Sequence, residues 1–150
     1  MGLADYHVPE FEPVADEAAT VTTEHCRFTV LKPRLIRLEY APDGAFEDRP
    51  SQAVWYRDQP VPEFSVTRAN GTLQIETEYL HLRYDIGSGF SDDSLSIVLT
   101  EFGETWEYGD SENTLGGTTR TLDGVDGQTD LEPGLLSRDG WSLLEDTDRL

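Results

Sequence analysis

The chain has 150 residues, with thirty Asp or Glu against eleven Lys or Arg and a formal net charge of -19. That length closes one hydrophobic core without metal or disulfide staples. The charge excludes nucleic acid and anionic membranes as partners, because no basic patch exists to neutralise phosphates.

Lys32 is the only lysine; every other basic residue is Arg. Short hydrated carboxylates in place of long lysine stems predict a halophilic protein, whose self-repulsion concentrated salt would screen. Cys26 stands alone, so no intrachain disulfide forms, and it reads as a small core residue. No apolar run is long enough to span a bilayer. Met1 to Ala19 lacks the basic start and apolar stretch of a secretory signal, so the chain reads as cytoplasmic.

In chain order, residues 1–20 are acidic and aperiodic and read as a flexible lead-in. Residues 21–150 read as one β-sandwich domain. Thr22 to Leu31 alternates like a strand, and Arg34 to Tyr40 places Ile36, Leu38 and Tyr40 on one face. A short-looped hairpin around Lys32-Pro33 joins the two. Ala41 to Pro50 is turn-rich, and Ala53 to Arg57 is expected to be another short strand. Phe64 to Ala69 and Thr72 to Thr77 flank Asn70-Gly71, a pair that tolerates the positive φ angles of a type I′ turn. Leu80 to Tyr84, Ser94 to Thr100 and Thr105 to Tyr108 complete seven to nine short strands. With no amphipathic helix, the pattern predicts an all-β antiparallel sandwich or barrel.

From Asp110 the chain is rich in Gly, Asp and Thr, and a long segment of this kind is usually functional or disordered. Gly116-Gly117 permits either a tight turn or close backbone approach. The carboxylates of Asp123 to Glu132 miss calcium-loop spacing, because Asp123 and Asp126 are three apart. Arg138, Asp139 and Trp141 form either a sugar contact, carboxylate to hydroxyl and ring to sugar face, or a surface ion pair beside a core Trp. His7, His25 and His81 are isolated, with no metal-ligand spacing, and no nucleophile elbow is present. No cofactor or metal is implied.

Two segments carry a resemblance. CRFTVLKPRLIRLEYAPDGAFEDRPSQAVWYRD is similar to the opening of the N-terminal domain of family 31 glycoside hydrolases, the α-glucosidases and α-xylosidases. NTLGGTTRTLDGVDGQTDLEPGLLSRDGW resembles the segment that leaves that domain for the active site. The resemblance implies a galactose mutarotase-like sandwich packed on a (β/α)8 catalytic barrel of the same polypeptide, expected beyond Leu150. It places the nucleophile and the acid/base of a retaining mechanism in that barrel, so no catalytic residue is assigned here. It gives Asp139, beside Arg138, a contact with an α-linked sugar, with Asp123 as a second candidate. Thr114-Leu115-Gly116-Gly117 departs from the Gly-Leu-Gly-Glu or Gly-Leu-Gly-Asp of many relatives. A barrel needs about 250 residues more, so this piece alone is expected to be inactive. The competing reading is a stand-alone carbohydrate-binding β-sandwich module.

Overall fold

Strand β2 (Cys26–Lys32) alternates in the way a half-buried strand must, with Cys26, Phe28 and Val30 turned to the core. In the computed structural model, which describes residues 10–51, 53–117, 123–124, 126, 129–131 and 134–147, β2 is the centre of a small sheet. It pairs antiparallel with β1 (Thr20–Thr22) and with β3 (Leu35–Tyr40), and a register shift near Leu31 leads into the Pro33-Arg34 turn.

A second sheet is a five-stranded antiparallel meander: β4 (Ser65–Ala69), β5 (Thr72–Glu76), β6 (Leu80–Asp85), β7 (Leu95–Leu99) and β8 (Glu104–Glu107). Asn70 and Gly71 both take positive φ, 52° and 81°, as the type I′ turn between β4 and β5 requires. Strand β4 is exposed along its length and forms one edge.

The sheets pack face to face. Val21, Phe28 and Val30 of the small sheet meet Leu73, Ile75, Leu82, Tyr84, Leu95 and Trp106 of the large one. Each such aliphatic or Phe side chain stabilises the fold by about 1.5–3 kcal/mol. Phe90, in the β6–β7 connection, touches the rings of Phe28, Tyr40, Tyr84 and Tyr108 at 5.6 to 6.0 Å between centroids. Cys26 is fully buried; its thiol donates to the Tyr84 hydroxyl at 3.0 Å, which in turn donates to the Ser88 carbonyl. The protein is an all-β antiparallel sandwich.

Ala53–Arg57 is not a strand. Tyr56 makes only an isolated parallel bridge to Glu12. Glu12 takes the Arg57 amide on its carbonyl at 2.6 Å, and Phe11 packs edge-on against Trp55 at 5.3 Å. This stretch is thus a strap held by the segment before β1, laid over the outer face of the small sheet, where Arg27, Arg37 and Glu39 lie.

Candidate functional site

The residues after β8 turn back over one end of the sandwich. Asn113 to Leu115 lies antiparallel to Leu136 to Arg138. The Leu115 amide donates to the Leu136 carbonyl at 2.8 Å and the Arg138 amide to the Asn113 carbonyl at 3.0 Å. Gly134 makes this possible: a Cβ there would lie 2.4 Å from the Gly116 carbonyl oxygen. The two candidate segments of the tail are therefore one unit, and the Gly116-Gly117 turn serves close backbone approach.

Asp139 sits at the end of this ribbon, half-buried. Its Oδ2 accepts the Asn113 amide at 2.7 Å, and its own amide donates to Ser137 Oγ at 3.1 Å. The Ser137 hydroxyl donates to the Trp141 carbonyl at 2.5 Å, fixing a tight turn. Arg138 is exposed and makes no ion pair among the described residues. Arg138 and Asp139 are thus adjacent on one ordered turn. Asp123 lies on an exposed turn of the intervening segment, whose neighbours 118–122, 125, 127–128 and 132–133 fall outside the described residues. Within the 123–132 acidic stretch, residues 125, 127–128 and 132 are among those not described.

Beyond Asp139 the chain lays Gly140 against Phe102 and Leu99 and inserts Trp141 beside Trp106, ring centroids 6.3 Å apart. Together these walls enclose a groove of about 320 Å3 between β3 and the far end of the meander. Its lining is aromatic and aliphatic (Tyr79, Phe102, Trp106, Trp141, Ile36), with one ion pair at the rim. Arg34 stacks on Tyr79, 3.6 Å from the ring centroid, and donates to Glu101 Oε2 at 2.7 Å. That bond is the leading reason the Arg34 pKa is raised. Trp106 Nε1 is buried with no acceptor among the described residues. Aromatic faces with a few polar groups suit a ring that has one apolar and one hydroxylated side.

Arg34, Tyr79 and Glu101 escaped the sequence reading. Arg34 and Glu101 are 67 residues apart, and only the pairing of sheets brings them together. His81 lies on the face opposite Leu82 and Tyr84, Nε2 3.4 Å from a Glu76 carboxylate oxygen. Among the described residues no group of three or more His, Cys, Asp or Glu is placed to hold a metal ion, and no helix is long and apolar enough to cross a membrane. The sequence matches no protein-family model and no curated protein.

Proposed function

We propose that this chain is the β-sandwich of an α-glycosidase similar to family 31, hydrolysing α-linked glucosides or xylosides with catalytic carboxylates carried by a barrel. The sandwich packs on that barrel, and its tail turn lends Asp139 and Arg138 to the sugar pocket. One observation carries the reading. The ordered tail presents Leu115, Leu131, Leu135 and Leu136 to solvent, the last two about 70% exposed, next to Arg138-Asp139. Four exposed leucines on one ribbon fit a face that meets another domain. The retaining reaction needs two carboxyl groups about 5 Å apart on a rigid scaffold, which a single turn does not offer. The same proposal takes the protein as cytoplasmic and halophilic, on its charge and lysine content.

The groove beside Trp141 favours a second reading, a stand-alone carbohydrate-binding module. An antibody raised against this chain, used on lysate of the source cells and then to capture the native polypeptide, separates the two. A band far above 16.8 kDa, with hydrolysis of p-nitrophenyl α-glucoside or α-xyloside by the captured protein, is expected. A band near that mass, with sugar retention and no turnover, would replace the glycosidase by the binding module.

A further inference from the structure

The five-stranded meander ends in an open strand edge. The Gly71 carbonyl accepts the Ile86 amide at 2.8 Å. By strand alternation, the backbone groups of Leu73 and Ile75 then bond to β6, opposite Tyr84 and Leu82. The alternate residues of β5, Thr72, Gln74 and Glu76, bond to β4, where they face Ala69, Thr67 and Ser65. That leaves the amide and carbonyl groups of Val66 and Arg68 pointing away from the sheet. No backbone group among the described residues pairs with them. All five residues of β4 are exposed, and the β4–β5 register runs without a bulge.

Edges of this kind are normally blunted by proline, by a bulge or by a projecting charge. Strand β4 has neither proline nor bulge, and its one charge is turned aside. Arg68 lies opposite buried Leu73, and its Nη2 donates to the Thr22 carbonyl of β1 at 3.2 Å. Phe64 to Ile75 contains no Asp or Glu, in a chain where thirty of 150 residues are acidic. The other edges differ. Antiparallel pairing of β8 would set Glu104 against Glu107 of a copy, and β1 is only three residues long. Strand β3 shares the lining of a cleft with Ser142 to Asp146 of the tail.

We propose that β4 pairs antiparallel with β4 of a second copy of this chain, about a two-fold axis at Thr67, joining two meanders into one continuous sheet. The outward groups dictate this register. Val66 of each copy exchanges both backbone bonds with Arg68 of the other, and Thr67 meets its own counterpart across the axis. No carboxylate comes opposite another. The aliphatic stem of Arg68 covers Val66 of the other copy, and the two threonine hydroxyls reach each other. An acid-free strand thus lets two chains of charge -19 approach. One strand pair is a small interface, so the dimer is weak, and it strengthens as salt screens the rest of the surface. Strand β4 lines neither the groove nor the tail ribbon, so the dimer is independent of the sugar reading.

The test is sedimentation velocity of the chain over a concentration series, in sodium chloride at about 0.1 and 1 M. A monomer–dimer equilibrium is expected, tighter at the higher salt. Thr67→Asp sets like charges against each other at the axis and should weaken the dimer about fivefold, as should Thr67→Lys. Mixing the two variants should restore it, since opposite charges then meet. Thr67 is exposed in the monomer, so neither change burdens the fold. Thr67→Cys reads the register. Its Cα atoms would lie about 4.5 Å apart across the axis, within disulfide reach, so mild oxidation should crosslink it. Ser65→Cys, opposite Ala69 of the other copy, should stay uncrosslinked, and native Cys26 is fully buried. If Thr67→Asp does not fold, the crosslinking carries the comparison. A monomer at every concentration, or equal crosslinking of Thr67→Cys and Ser65→Cys, would overturn the proposal. So would a dimer untouched by Thr67→Asp, which would move the contact to the exposed leucines of the tail.

Discussion

Replacing Gly134 by Ala puts a methyl group 2.4 Å from the Gly116 carbonyl oxygen and 2.8 Å from its carbon. Both are backbone atoms, so no side chain can rotate away. Restoring an ordinary contact of 3.4 Å needs about 1 Å of separation between the two tail segments. Added to the 2.8 Å Leu115–Leu136 bond, that shift gives about 3.8 Å, outside hydrogen-bonding range. The Arg138–Asn113 bond at 3.0 Å fails with it. Two such bonds are together worth roughly 2 kcal/mol. Hydrogen exchange at the Leu115 and Arg138 amides should therefore accelerate roughly 5- to 30-fold. Amides of β5 and β6 should keep their protection, since their ladder is remote from the ribbon. Unchanged protection of Leu115 and Arg138 in Gly134→Ala would refute the close-approach argument.

Tyr84→Phe strips the acceptor from the Cys26 thiol and the donor from the Ser88 carbonyl, and should lower stability by about 1–3 kcal/mol in denaturant titration. Burial foremost, then the Cys26 bond, pushes the Tyr84 pKa up. The folded state therefore holds its proton more tightly than the unfolded one. That contribution is complete below the ordinary tyrosine value near ~10 and is lost as pH rises above it; Tyr84→Phe should flatten this alkaline loss, read from unfolding midpoints across pH 8 to 11. At Asp139 two substitutions divide structure from sugar contact. Asp139→Asn keeps an oxygen for the Asn113 amide and Asp139→Ala does not, so, if the proposed glycosidase activity is found, a kcat/KM that falls equally in both points to sugar, and rescue by Asn points to structure. With a charge of -19, the unfolding midpoint should climb as sodium chloride goes from about 0.1 to 1 M and the screening length shrinks from ~10 to ~3 Å; a flat or falling midpoint would contradict salt adaptation.

Much of the fold was legible because it is local. Asn70-Gly71 announces its turn by backbone chemistry, and the alternation in Arg34 to Tyr40 follows from the two-residue period of a strand. The strap was misread because Ala53 to Arg57 is apolar enough for a strand. What decides its fate is the distant carbonyl of Glu12 and the burial of Arg57, a residue type that normally signals surface. The tail ribbon hides for a similar reason: it rests on one glycine meeting another eighteen positions earlier, with no periodicity to betray it. Asp139 and Arg138 could be singled out by residue type, but the bond of Asp139 to the Asn113 amide could not.

Both sheets are built wholly from strands adjacent in sequence, whereas the contact between them is distant: Phe28 of the small sheet finds its partner ring on Tyr84 of the large one. During synthesis, the strands made first must therefore wait for those made later. Contacts of short sequence separation form early, so each sheet should form on its own hairpins before the two faces dock through contacts such as Phe28 on Tyr84. Truncations on the docked faces, such as Val30→Ala and Leu82→Ala, would then chiefly speed unfolding, and stopped-flow rates in which they mainly slow folding would show that the sheets dock before the transition state.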